Sequence, residues 1–481
     1  MDIRWSRGLR KIVFITLLPL ACSTNSNHTP AESTNTSRGP QVDVWLTNPD
    51  KSSLFAQTTF INFTNQTAQP SVIKVDTAVQ YQTMDGFGFT LTGGSAMLIR
   101  QKLNATDRTN LLKELFLPDN NGIGISYLRI SIGASDLDDH VFSYDDLPSG
   151  QADKTLSKFN LDPDRANLIP LLKEIITLNP SIKILGSPWS APVWMKTNGL
   201  AKGGSLNTKY YGAYANYFVK YITGMAEEGI TIDAVTLQNE PEHPGNTPSM
   251  LMSAVEQADF IKNYVGPAFQ KAGIKTKIIL FDHNCDHPNY PIAVLNDAAA
   301  NPYIDGSAFH LYLGDISALS AVHEAFPQKN LYFTEQWTSG NGSFGADLLW
   351  HVKNLIVGAP RNWSKNVLEW NLAADEYFNP HTDGGCTLCQ GALTINNAGS
   401  VTRNVSYYII AHASKFVRPG SLRVYSTISN NLYNVAYLTQ DGKKVLIVVN
   451  TDTTDKSFSI NFKSMTASHF LKAGAVATYV W

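Results

Sequence analysis

Residues 235–243 read VTLQNEPEH. Val235 and Leu237 alternate with polar residues, as in a strand entering a core. Asn239, Glu240 and Pro241 then arrive together. Proline has no backbone donor and stops the strand. A carboxylate is costly to bury alone. The stretch is therefore either a surface turn or a strand end that aims Glu240 at something. The second reading puts a general acid at the mouth of a parallel barrel.

The chain on either side decides for the barrel. Strand-like runs occur at GFGF (86–89), ISYLRIS (125–131), IKILGS (182–187), AVTLQN (234–239), KIILFD (277–282), SAFHLY (307–312), NLYFTE (330–335) and VLEWN (367–371). Helical patterns lie between them, among them 107–116, 166–178, 210–229 and 249–273. Strands alternating with helices, without a dinucleotide-type glycine fingerprint, predict an α/β fold, a (β/α)8 TIM barrel over 81–404. After about residue 404 helical patterns stop. LRVYSTI, LYNVAYLTQDGKKVLIVVN, KSFSINF and AVATYVW alternate, with QDGK as a hairpin turn. Residues 405–481 read as an antiparallel β-sandwich. Strands within 41–80 are expected to join it, so that both chain ends build one appended domain.

Residues 1–22 read as a signal peptide. Arg4, Arg7, Arg10 and Lys11 precede the apolar run IVFITLLPLA (12–21), too short to cross a bilayer. Ala21-Cys22 followed by polar sequence resembles a bacterial lipoprotein cleavage site, which implies a lipid anchor on Cys22. Residues 23–40 read as a flexible linker. The expected location is the periplasm or cell surface of a bacterium, and the expected state a monomer. Net charge is −2 with both signs interspersed, so neither nucleic acid nor a lipid headgroup surface is an implied partner. Cys386 and Cys389 are spaced for a local disulfide; with Cys285 they are one thiol short of a four-cysteine zinc site.

Barrels of this kind carry function at the C-terminal ends of their strands, and polar residues cluster there. Two carboxylates, Glu240 and Glu335, each follow an apolar run, on strands four and seven. Glycoside hydrolysis needs such a pair, one to protonate the leaving oxygen and one to attack carbon or activate water. Arg129 and Tyr312 can hold Glu335 ionised. Asn239 can bond a sugar 2-hydroxyl. Trp189, Trp337 and Trp370 can wall a pyranose. The alternative roles are packing for the tryptophans, an ion pair for Arg129, and a buried near-core residue for His310. D282-H283-N284-C285-D286-H287 looks like a ligand cluster but lacks helical histidine spacing, and no metal is expected.

DGFGF (85–89), YLRISIGASD (127–136), SPWSAPVWMKTNG (187–199), LQNEPE (237–242), FHLY (309–312), YFTEQW (332–337), EWNLA (369–373) and ATYVW (477–481) resemble glycoside hydrolase family 30 over nearly the whole mature chain. The resemblance implies Glu240 as acid/base and Glu335 as nucleophile, with no cofactor. It places Arg129, Asp136, Trp189, Asn239, Tyr312 and Trp370 at the sugar site. Two features depart from many relatives. Gly93 stands where they carry Asp, and HTDGGCTLCQGALTI (381–395) follows strand eight. The second tips the expected substrate towards β-1,6-glucan in an endo mode. Glucosylceramide, a simple β-glucoside or a β-xyloside is the alternative. A non-catalytic carbohydrate-binding lipoprotein is the alternative from a different class.

Overall fold

A computed structural model describes residues 39–481 of the chain. The readings for residues 1–22, Cys22 and most of the linker lie outside the described residues. Among the described residues no helix is long and apolar enough to cross a membrane.

Eight parallel strands close into a barrel: β1 (Gly86–Thr90), β2 (Tyr127–Ser131), β3 (Lys183–Ser187), β4 (Ala234–Thr236), β5 (Lys277–Asn284), β6 (Ile304–His310), β7 (Asn330–Glu335) and β8 (Ser364–Asn371), with β8 returning to β1. Side chains alternate across a strand, and this sets what fills the interior. Tyr127, Leu185, Ala234, Ile279, Ala308, Tyr332 and Leu368 form one apolar layer inside the barrel. Their odd-phase neighbours, such as Leu128, Ile184, Val235 and Phe309, join the outer core beneath the helices.

Two residues further along most of these strands, towards the C-terminal mouth, stand Arg129, Ser187, Thr236, His310, Thr334 and Trp370. The layer above the apolar plug is therefore mostly polar. On β5 the alternation is interrupted: Phe281 (φ 75°) and Asp282 (φ 63°) both take left-handed backbone. Phe281 then joins the outer core, and Asp282 supplies the interior side chain. Such conformations are costly for non-glycine residues and cluster at functional sites.

Three expectations need correction. Strand four ends at Thr236, not at residue 239. Helix does not stop at 404: Val405–Ser414 is a helix that packs against β1 as part of the barrel layer. The C-terminal sheet is not wholly antiparallel, because Val72–Val75 runs parallel to Ser459–Phe462. The N-terminal strands do join it: Gln41–Thr47 pairs with Val476–Val480, and Val72–Thr83 with Leu422–Ser426. Within Leu432–Leu438, Leu432 and Ala436 face the sandwich core while Val435 and Tyr437 face the barrel helices. That one alternating strand fastens the two layers together.

Candidate active site

The segment after β4 turns at Glu240, whose φ is 46°. Asn239 N–H donates to the Pro188 carbonyl (2.8 Å) and Glu240 N–H to the Asp282 carbonyl (3.0 Å). These bonds fix the turn to the neighbouring strands β3 and β5, and Glu240 is directed into the mouth. Glu335 is the last residue of β7. Oxygens of the two carboxylates, and a nitrogen of His310, all lie within 4.8 Å of one another.

Arg129 lies below both and is fully buried. Its Nη1 donates to Glu335 Oε2 (2.5 Å), and its Nη2 to Asn239 Oδ1 (2.6 Å), Asp282 Oδ2 (2.8 Å) and Ser187 Oγ (3.2 Å). Tyr312 O–H donates to Glu335 Oε1 at 2.8 Å. Asp282 is a hub that the sequence reading did not single out. Its carboxylate also accepts from Ser187 (2.7 Å), Thr236 (2.8 Å) and Thr334 (2.7 Å), and His310 Nε2 lies 3.1 Å from Oδ1. Burial opposes its charge, but Arg129, His310 and Thr334 together hold it well below the usual carboxylate range.

His310 bridges this hub to the reacting pair, with Nδ1 3.3 Å from Glu240 Oε1 and 3.7 Å from Glu335 Oε1. Burial favours its neutral ring, but the Glu335 charge and the bonds to Asp282 and Glu240 push it up to about 9. Arg129 and His310 then supply two positive charges, and Asp282 takes one negative. One ionised and one protonated glutamate would leave this cluster neutral. An imidazolium at 3.3 Å draws Glu240 down against the effect of its burial, while burial and the Glu240 charge push Glu335 up. That order is opposed by direct contact: a permanently charged guanidinium and a phenol O–H both donate to Glu335, whereas Glu240 meets only imidazoles. These contacts favour charge on Glu335 and a proton on Glu240.

Above the pair lies a cavity of about 370 Å³, lined among others by Asp136, Trp189, Tyr312, Trp337 and Trp370 together with both glutamates. Arg129 and Asn239, expected at the sugar, are not among its lining residues; Arg129 braces Glu335 and Asn239 in turn holds Arg129. Trp189 and Trp370 are 1% and 4% exposed with ring centroids 5.3 Å apart. Arg129 lies over the Trp189 and Trp370 rings, 4.7 and 5.8 Å from their centroids. Asp136 is buried, and burial with the nearby Glu335 charge raises it to about 7. Cys386 and Cys389 are joined by a disulfide on the same cavity wall.

Other strand-end polar residues point elsewhere. Glu369 pairs with His351 (2.8 Å) away from the cavity, and Glu242 is exposed beside His287. Gly93 has a steric basis: a Cβ there would overlap Asp138 Oδ1, whose carboxylate is committed to Ser135 N–H and O–H (2.7 and 2.8 Å). The Asp282–His287 run does not converge on one point, since Asp282 is internal and His287 faces Glu242.

Residues 84–417 match the model of the glycosyl hydrolase family 30 TIM-barrel domain, and residues 420–479 that of the family 30 β-sandwich domain. The chain belongs to glycoside hydrolase family 30. Like other members of family 30 it is a glycoside hydrolase. It is 37% identical to an endo-1,6-β-D-glucanase of Aspergillus fumigatus over 80% of this chain and 81% of that one. It is 28% identical to the lysosomal acid glucosylceramidase of Mus musculus, covering 87% and 84% of the two chains. A solved structure of an endo-β1,6-glucanase superposes with a TM-score of 0.86 at 35% identity, covering 92% of this chain and 99% of the other. The family 30 match reaches past residue 404, in keeping with the helix at Val405–Ser414.

Proposed function

We propose that this hydrolase is a retaining endo-β-1,6-glucanase in which Glu335 is the nucleophile and Glu240 the acid/base. The observation that carries the mechanism is the carboxylate pair, with oxygens within 4.8 Å. An inverting enzyme separates its carboxyl groups by about 6.5–9.5 Å to seat a water, and a retaining one by about 5–5.5 Å.

In the first step Glu335 attacks the anomeric carbon as the glycosidic C–O bond breaks. The Glu240 proton passes to the departing oxygen. A glycosyl ester on Glu335 results. In the second step Glu240, now a carboxylate, takes a proton from water. The water oxygen attacks the same carbon and displaces Glu335. Two inversions leave the configuration unchanged. Arg129 and Tyr312 keep Glu335 ionised for attack and take up its charge again when it leaves.

The linkage rests on a difference among relatives. Three endo-1,6-β-D-glucanases are 35–37% identical to this chain, against 27–29% for glucosylceramidases over similar shares. Glucosylceramide is accordingly the second reading. Incubation with β-1,6-glucan tests the first: oligosaccharides of intermediate size appear before glucose. Early glucose alone rejects the endo mode, and turnover of glucosylceramide with glucan untouched rejects the linkage. Export and lipid attachment at Cys22 belong to the same proposal on the strength of residues 1–22; the mass of the protein recovered from cell envelopes tests them.

A further inference from the structure

The C386-T-L-C389 segment is absent from the reaction steps above, yet it sits against the reacting groups. Both cysteines line the cavity that holds Glu240 and Glu335. The bridge packs in one apolar cluster with Leu137, Trp189 and Trp370. Cys386 N–H donates to Asp136 Oδ2 at 3.3 Å. Thr382 N–H donates to the Asp136 carbonyl at 2.9 Å, so residues 382–386 wrap that aspartate. At the other end Cys389 pairs with Ser339, and Gly340 N–H donates to the Leu388 carbonyl (2.9 Å). This ties the segment to the chain just beyond Glu335. Between Ala374 and Cys389 no helix or strand forms. The bridge is a covalent constraint on an irregular stretch that touches both Asp136 and the segment beyond β7.

We infer that the Cys386–Cys389 bridge is a wall of the glucan-binding cavity, and that its reduction weakens substrate binding while leaving bond cleavage intact. The inference rests on the reading of this cavity as the sugar site. In the reduction the S–S bond breaks and two electrons come from an added phosphine. Water supplies the two thiol protons and its oxygen ends on phosphorus. The open segment then no longer fixes Cys386 N–H on Asp136, and the wall beside Trp370 relaxes. Glu335 keeps Arg129 and Tyr312, which do not touch the bridge. The remaining described cysteine, Cys285, is a buried thiol whose pKa burial raises well above the usual thiol range, and a phosphine does not alter it.

The test measures KM and kcat on β-1,6-glucan and on an aryl β-glucoside, before and after phosphine treatment, with thiol titration confirming a gain of two. The Cys386→Ser/Cys389→Ser double variant is measured in parallel. The expected result is a KM about fivefold higher, on the scale of one lost hydrogen bond and some wall contact, with kcat within about twofold. The double variant should match the reduced wild type and ignore the phosphine. Should it fail to fold, the reduced wild type carries the test alone. An unchanged KM with two thiols gained overturns the inference, and so does a fall in kcat at constant KM. An oxidised enzyme that turns over the aryl glucoside but not the glucan rejects the linkage while the bridge is still tested.

Discussion

Asp282→Asn changes one oxygen to nitrogen in the layer beneath the glutamates. The carboxylate accepts from Arg129, Ser187 and Thr236 on Oδ2 and from Thr334 on Oδ1, where His310 Nε2 lies at 3.1 Å. An amide oxygen can replace Oδ2. The amide nitrogen then faces both His310 Nε2 and Thr334 Oγ1; two donors cannot share a contact, so His310 must give up its Nε2 proton and the Thr334 hydroxyl must turn to accept. Arg129 remains a charged donor, while the Ser187, Thr236, Thr334 and His310 contacts become neutral ones; at about 1 kcal/mol each the expected stability loss is about 4 kcal/mol. Catalysis moves in a different way. The imidazolium that lies 3.3 Å from Glu240 and 3.7 Å from Glu335 disappears. A unit charge at such a distance is worth about 5 kcal/mol at an effective dielectric near 20. Even after relaxation removes most of that, both carboxyls rise by about one unit. Each limb of the kcat/KM pH profile on an aryl β-glucoside should move upward by about one pH unit, with urea unfolding recording the stability loss. A variant that loses stability but keeps both limbs in place refutes the electrostatic role and leaves Asp282 a packing residue.

Tyr312→Phe removes an O–H at 2.8 Å from Glu335; kcat on the aryl glucoside should fall about 10- to 100-fold, since a hydrogen bond to a charged group is worth about 1.5–3 kcal/mol. Gly93→Asp should lower the unfolding free energy by about 1–3 kcal/mol through overlap with Asp138, and adding Asp138→Ala should recover most of it; equal stability of single and double variants contradicts the steric account. Burial raises Asp136, Asp138 and Asp164 to about 7, 8 and 7, and His310 stands at about 9. All four are raised, so the stability they contribute is full below the unfolded values and is lost as pH rises through the folded ones. The thermal midpoint should therefore fall from about pH 4 to about pH 9, and Asp138→Asn should flatten that fall; an unchanged slope rejects the assignment.

Much of the barrel was legible because strand and helix patterns differ in period. Tyr127 and Arg129, or Tyr332 and Thr334, are two residues apart on one face, which is enough to stack a polar layer on an apolar one. Glu240 and Glu335 were legible as carboxylates at the ends of apolar runs. Asp282 was not, since a strict period of two puts Phe281 inside. The exchange depends on left-handed backbone at both residues, which KIILFD does not announce. The helix at Val405–Ser414 was missed for another reason. Nine of its ten residues are buried, so VSYYIIAHAS carries no amphipathic stripe to distinguish it from a buried strand. The parallel pairing of Val72–Val75 with Ser459–Phe462 joins residues far apart in the chain, and local pattern carries no register across such a distance. Arg129 was legible from its strand position as a partner that holds Glu335 ionised; only the resemblance placed it at the sugar, and its depth beneath the cavity follows from which partners surround it.

The central claim is that Glu335 forms a bond to the sugar and Glu240 supplies the proton. A 2-deoxy-2-fluoro-β-glucoside with a good leaving group slows both steps but the second more, so that the glycosyl-enzyme accumulates. Protein incubated with it is digested, and the modified peptide is identified by mass. The account predicts a single fluoroglucosyl ester on the peptide containing Glu335, formed in wild type and absent from Glu335→Gln. An ester on Glu240, or turnover of β-glucosides with inverted product and no ester at all, would contradict it.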